Sequence, residues 1–237
     1  MAETSTADRR SIEIPIAGDH LLGDLALPRA AKGLVVFAHG SGSGRHSPRN
    51  RAVADALHAS GNATLLLDLL TPREAAEDER SLQYRFQIPL LGERLVAAVD
   101  WAASEPTLRP LRVGLYGAST GGAAALLAAA ARPHRIGAIV LRGARADLAA
   151  EAIPFVRAPT LHIVGGRDPA ILEIAKATAP LFRVAHSTTV VPGATHLFEE
   201  AGALEAVTIA ATAWFGSHLS PRGAATGETE PGPGRGA

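Results

Sequence analysis

The sequence predicts an α/β protein built on a mainly parallel, doubly wound sheet with helices on both faces. Short continuous apolar runs recur along the chain, rich in Val, Leu and Ile, as strands buried on both faces require. Between most of them lie segments of about 10–15 residues with apolar side chains at helical spacing, the alternation that right-handed βαβ units impose. A length of 237 residues and an apolar fraction of 47% suffice for one sizeable core.

The elements follow in order. Residues 1–10 are polar and read as a flexible tail. Residues 11–16 and 21–27 alternate with period two about a turn at Gly18-Asp19, which predicts an antiparallel hairpin at one sheet edge. Residues 33–38 form a buried strand that runs into His39-Gly40-Ser41-Gly42-Ser43-Gly44, a loop that neither helix nor strand tolerates. Pro48 opens a helix to about Ser60, with Val53, Ala56 and Leu57 at helical spacing and Gly61 as its stop. Residues 63–67 are the next strand, closing on Asp68. Residues 69–87 break the rhythm; the charged stretch 71–80 predicts a short exposed helix or a flap. Residues 90–103 form an amphipathic helix with Leu91, Leu95, Val99 and Ala102 on one stripe. A strand beginning at Val113 meets Gly117-Ala118-Ser119-Thr120-Gly121, and an alanine-rich helical run, 123–131, follows at once. Strands at 136–141, 159–164 and 187–191, and helices at about 170–181 and 199–218, complete the pattern. Residues 219–237, rich in Gly, Pro, Ala, Thr and Glu, read as a disordered tail, because from Ser220 onward no large apolar residue is present to bury. The expected organisation is one domain over 11–218 between two tails.

Composition excludes several classes of function. Twenty-three basic residues balance 23 acidic ones, so no net field favours nucleic acid or an anionic membrane. The absence of cysteine removes disulfides, thiolate metal sites and a cysteine nucleophile together. Residues 1–10 lack the apolar core of a signal peptide, and no apolar run reaches spanning length, so a cytoplasmic protein without a membrane partner is expected. The remaining histidines lack metal-ligand spacing, so no metal and no cofactor is inferred. A monomer or homodimer acting on a small molecule fits this composition.

The chemistry concentrates at Gly117-Ala118-Ser119-Thr120-Gly121. A strand–turn–helix carrying Gly-x-Ser-x-Gly is the context of a nucleophile elbow, where the serine is strained and exposed and its neighbours two residues away must be small. A serine nucleophile needs a base, an acid to orient that base, and donors for the oxyanion. Asp168, just past one strand, and His196, just past the last, follow Ser119 in the order Ser, Asp, His. The expected roles are nucleophile for Ser119, general base and then acid for His196, and orienting carboxylate for Asp168. The backbone amides of Ser41 and Thr120 are the expected oxyanion donors. Asp147 is the rival acid, ranked second because the Asp168 loop lies one strand nearer the histidine loop. The plain alternatives are a helix cap at Asp168, a residue near a helix start at His196, a brace of the glycine loop at His39 and a core histidine at His162. Arg45, His46, Arg49 and Arg51 cluster after the glycine loop, and Arg142 and Arg145 after another strand; they read mainly as a solvated rim. Arg45 and Arg145 are nonetheless kept as candidate contacts for an anionic ester.

With these residues in hand the chain resembles the α/β-hydrolase superfamily, and more closely its dienelactone-hydrolase-like branch, over about residues 20–218. The resemblance rests on residues 39–44, Ser47-Pro48-Arg49-Asn50-Arg51, residues 117–122, and Pro192-Gly193-Ala194-Thr195-His196-Leu197-Phe198-Glu199-Glu200. It looks especially like the compact hydrolase domains fused behind phosphoribosyltransferase domains. The resemblance implies an eight-stranded sheet and hydrolysis of an ester or lactone without a cofactor, and no large lid insertion is evident in the residues after the strand that begins at Ile136. One departure bears on the activity: dienelactone hydrolases use cysteine where this chain has Ser119, and serine suits carboxylesterase chemistry. The expected activity is hydrolysis of small carboxylic esters through an acyl-enzyme, with acyl transfer to alcohols where the pocket excludes water. A lactone hydrolase and a non-catalytic binding protein on the same fold are the alternatives.

Overall fold

The computed structural model describes residues 8–219, so the expectations for residues 1–7 and 220–237 lie outside the described residues. An eight-stranded sheet with the order β1-β2-β4-β3-β5-β6-β7-β8 runs through the centre. Strands β1 (Asp8–Ile16) and β2 (Asp19–Leu27) form the antiparallel hairpin at one edge, and β2 meets β4 (Ala63–Leu67) antiparallel. Strands β3 (Leu34–Ala38), β5 (Val113–Ala118), β6 (Ile136–Arg142), β7 (Thr160–Gly165) and β8 (His186–Val191) continue parallel to β4.

Each central strand is buried on both faces, and its pleat divides its side chains between two cores. Leu34 and Val36 of β3, with Leu115 and Ile139, face helices α3 (Ile88–Ser104) and α4 (Thr120–Ala131). Val35 and Phe37, with Tyr116 and Val140, face α1 (Pro48–Ala59) and α6 (Ala203–Leu219). The α3 stripe of Leu91, Leu95, Val99 and Ala102 is buried as its spacing requires. Helix α4 has no polar face because it is wedged between α3, β5 and a 3-10 segment at Ala146–Phe155; alanine allows that close approach.

Among the boundaries that differ from expectation, four have a physical reason. Residues 8–10 are not tail: they extend β1, with Arg9 opposite Ala26 and its guanidinium 2.9 Å from Asp55 of α1. Leu219 likewise belongs to α6 and is fully buried against the sheet. Helix α5 (Pro169–Thr178) stops before Leu181 and gives way to a 3-10 turn, since Pro180 has no N–H to continue the ladder. Helix α6 begins at Ala203 rather than Glu199, because residues 197–202 fold into turns with Phe198 and Gly202 at positive φ.

The stretch after β4 takes the form of the short exposed helix. Helix α2 (Pro72–Ser81) starts in a capping box between Thr71 and Glu74. Asp78, nearly buried, accepts from the amides of Tyr84 and Arg85 at 2.7 and 3.0 Å and pairs with the Arg85 guanidinium at 2.6 Å. Burial pushes the Asp78 carboxyl up, but these bonds prevail and hold it below the usual range. Glu74 reaches Arg94 of α3 at 2.6 Å, so the segment is pinned at both ends.

Candidate active site

The glycine loop after β3, the β5–α4 turn, the β7–α5 turn and the loop after β8 all lie at the carboxyl ends of the parallel strands. In such sheets that edge is where ligands meet the chain.

Ser119 stands between β5 and α4 at φ 51°, ψ −121°, a conformation that costs about 1–3 kcal/mol for a residue with a side chain. Three backbone bonds hold it there. Its N–H donates to Arg142 O at 3.1 Å, and its carbonyl accepts from the amides of Gly122 and Arg145 at 3.0 and 3.1 Å. The turn closes only over glycine. A Cβ at Gly117 would lie 2.6 Å from the Gly122 Cα, and one at Gly121 would lie 2.3 Å from the Ala38 carbonyl oxygen.

His196 lies with Nε2 3.3 Å from Ser119 Oγ and Nδ1 2.6 Å from Asp168 Oδ2. Facing a carboxylate, Nδ1 carries the proton, which leaves Nε2 as an acceptor toward the serine hydroxyl. The Asp168 side chain is 10% exposed and that of His196 is 40% exposed, so the carboxylate is shielded while the imidazole opens to solvent. Asp168 is also the N-cap of α5: its Oδ1 accepts from the Ile171 amide at 3.4 Å. The histidine loop is braced in turn by Glu200 Oε1, which accepts from the Thr195 amide at 3.1 Å. Bonding to Thr195 keeps the Glu200 carboxyl below its ordinary range.

Asp147 is elsewhere. Its carboxylate forks with Arg145 at 2.7–3.2 Å, and that guanidinium holds it below the usual carboxylate range. Arg45 is occupied in the same manner, by an ion pair with Asp68 and by Asp24 at 3.5 Å. Arg49 reaches Glu199 at 2.8 Å, and Arg51 reaches Asp24 at 3.2 Å. His39 braces its loop: Nδ1–H donates to Gly40 O at 2.9 Å and Nε2 accepts from the Leu69 amide at 3.0 Å. Burial lowers its pKa and favours that neutral form.

The Thr120 amide, at the first position of α4, has no acceptor within its own helix. The Ser41 amide donates to Thr120 Oγ1 at 2.9 Å, tying the glycine loop to the elbow. A cleft of about 160 Å³ opens beside Ser41, Gly42 and Ser43, walled by Ala75 and Glu79 of α2 and by Arg85.

Sequence misplaced one residue beside the site and missed another. Arg142, expected on a solvated rim, is 8% exposed and lies 5.7 Å from the Phe198 ring centroid. It closes β6 on the face shared with Tyr116, and pleat parity at the end of a buried strand was the available signal. Gly143, at φ 54°, passes beneath the imidazole, and a Cβ there would touch His196 Nδ1 at 3.4 Å.

The profile of the dienelactone hydrolase family matches residues 22–217 of the chain. Two proteins of Mycobacterium tuberculosis, from strains CDC 1551 and H37Rv, are provisionally named phosphoribosyl transferases and are 50% identical over 206 residues. The match takes in 87% of this chain and 44% of each relative, so the chain spans less than half the length of those relatives. The solved structure of a dienelactone hydrolase from Anabaena variabilis is 47% identical, with a TM-score of 0.89 over 90% of this chain and 99% of that one. Est1E from Butyrivibrio proteoclasticus superposes with a TM-score of 0.75 at 19% identity, covering 87% of this chain and 98% of its own. At that identity the likeness is one of fold.

Proposed function

The chain belongs to the dienelactone hydrolase family and has the α/β-hydrolase fold, and from that premise we propose that it is a serine hydrolase of small carboxylic esters. One observation carries the reading: Asp168, His196 and Ser119 stand in hydrogen-bonded succession, 2.6 Å and 3.3 Å, at the carboxyl edge of the sheet.

In the proposed reaction Ser119 Oγ bonds to the ester carbonyl carbon as His196 Nε2 takes its proton. The carbonyl π pair moves to oxygen, where the Thr120 amide and the Ser41–Thr120 pair stabilise it. Collapse restores the carbonyl and breaks the bond to the alcohol oxygen, which leaves with the proton from Nε2. Water then adds to the acyl carbon with His196 Nε2 as base, and collapse breaks the bond to Ser119 Oγ, which regains the proton from Nε2 as the acid departs. Asp168 holds the imidazole in the tautomer that accepts from serine and stabilises the imidazolium that forms.

The nature of the nucleophile favours esters over lactone chemistry tuned to a thiolate. The segment between β6 and β7 holds a 3-10 turn instead of a large lid, which leaves water free to compete with alcohols for the acyl group. Neutral esters are preferred, since Arg45 and Arg145 are each matched by an aspartate. The reading concerns the region shared with the mycobacterial relatives and not the remainder of those longer proteins.

Intact mass after exposure to a fluorophosphonate tests this. One adduct is expected on the wild type and none on Ser119→Ala or His196→Ala, and Ser119→Ala should lose on the order of 10³-fold or more of its kcat/KM on p-nitrophenyl acetate. A folded wild type that takes no adduct would replace the enzyme with a ligand-binding protein.

A further inference from the structure

An oxyanion hole works through donors already aimed at the place where charge develops. The Ser41 amide is not free to do this alone, because its N–H donates to Thr120 Oγ1 with 2.9 Å between nitrogen and oxygen. A hydroxyl has one hydrogen and two lone pairs, so accepting from Ser41 leaves the Thr120 O–H still to be placed.

Two other helical threonines show where that hydrogen ordinarily goes. Thr178 donates to Ile174 O and Thr208 to Leu204 O, each at 2.8 Å and each to the carbonyl four residues back. Thr120 is the first residue of α4, and four residues before it the chain is still in β5. Among the described residues its hydroxyl hydrogen has no protein acceptor. The residue is 4% exposed, so water competes poorly for it. A hydroxyl that accepts an N–H is polarised into a stronger donor.

We propose that the Thr120 side chain is a catalytic residue: its hydroxyl, oriented by the Ser41 amide, is the second oxyanion donor beside the Thr120 backbone N–H. The hydroxyl keeps its proton throughout and only donates a hydrogen bond, so the bonds made and broken remain those of the serine mechanism. The inference rests on that mechanism, and it reassigns Ser41 from direct donor to the group that holds the donor in place.

Thr120→Val keeps the branched shape and removes the hydroxyl; Thr120→Ser keeps the hydroxyl. With p-nitrophenyl acetate, Thr120→Val is expected to lose on the order of 10²-fold in kcat with KM unchanged. Inhibition by an aryl trifluoromethyl ketone, which forms a tetrahedral oxyanion on the serine, should weaken in parallel, and Thr120→Ser should restore both. Thr120→Ala takes the place of the valine variant if that protein does not fold. A Thr120→Val or Thr120→Ala enzyme as fast as the wild type, or faster, overturns the proposal, for the freed Ser41 amide would then be the donor and the hydroxyl only a plug. Fluorophosphonate labelling separates the hydroxyl role from the serine mechanism. A wild type labelled on Ser119 with an indifferent Thr120 sinks the hydroxyl role alone, and a wild type that never labels sinks both.

Discussion

Asp168 spends its two carboxylate oxygens on different elements, Oδ2 on His196 and Oδ1 on the first turn of α5. The two uses respond differently to asparagine. Asparagine is as good an N-cap as aspartate, so the melting temperature of Asp168→Asn should stay near that of the wild type. Its amide carries no charge to stabilise an imidazolium and can favour the wrong histidine tautomer, so kcat should fall on the order of 10³- to 10⁴-fold. Asp147→Asn breaks an exposed pair with Arg145, worth at most about 1 kcal/mol, and should leave kcat near the wild-type value. Steady-state kinetics on both variants decides, and the opposite ranking would hand the acid role to Asp147. Sequence narrowed the acid to two candidates on neighbouring loops. The choice depends on which carboxylate meets the imidazole, 28 residues away in Asp168's case, a contact no local pattern records.

At the scale of the element, the β5–α4 turn is held by backbone-to-backbone contacts that leave no room for a side chain at Gly117 or Gly121. Gly121 packs against the carbonyls of Ala38 and His39, with a built Cβ at 2.3 and 2.4 Å from their oxygens. Backbone atoms cannot swing aside as a flexible side chain would. Gly121→Ala must therefore push the glycine loop away from the elbow, displacing Ser41 together with Ser119. On the proposed function, near-complete loss of turnover of p-nitrophenyl acetate and a lower thermal midpoint are expected, and a Gly121→Ala protein as active as the wild type would refute this account of the turn. The elbow was legible in sequence because its glycines, its strand and its helix are contiguous. Helix α2 was only half legible: Thr71 and Glu74 mark its start, but the Asp78–Arg85 and Glu74–Arg94 pairs that fix it are tertiary.

At the scale of the whole molecule, a polar group in the sheet makes stability depend on pH. His162 of β7 is fully buried, and burial, with His186 nearby, pulls its pKa down to about 4. In the unfolded chain it titrates near the ordinary value of about 6.5. Between those values the unfolded state binds the proton and the folded state does not. Its contribution is therefore complete above about pH 6.5 and is lost as pH falls through about 4, amounting to about 3 kcal/mol. Urea midpoints at pH 7.5 and 4.5 should differ more for the wild type than for His162→Leu, because only the wild type carries this group on top of the titrating carboxylates. Equal pH dependence in the two proteins would remove His162 as the cause.

By itself the sequence determined the strand and helix succession, the mainly parallel sheet with its hairpin edge, and the chain order of Ser119, Asp168 and His196. These are written in hydrophobic period, in glycine and proline placement, and in residue type at the ends of strands, all properties of neighbours in the chain. Only the tertiary structure decided that Asp168 and not Asp147 meets His196, that Arg142 is buried under Phe198, and that the Ser41 amide is spent on the Thr120 hydroxyl. Those contacts join residues from separate loops, Ser41 and Thr120 being 79 positions apart. They are settled by how far each strand carries its loop and by which polar groups must find partners once water is excluded.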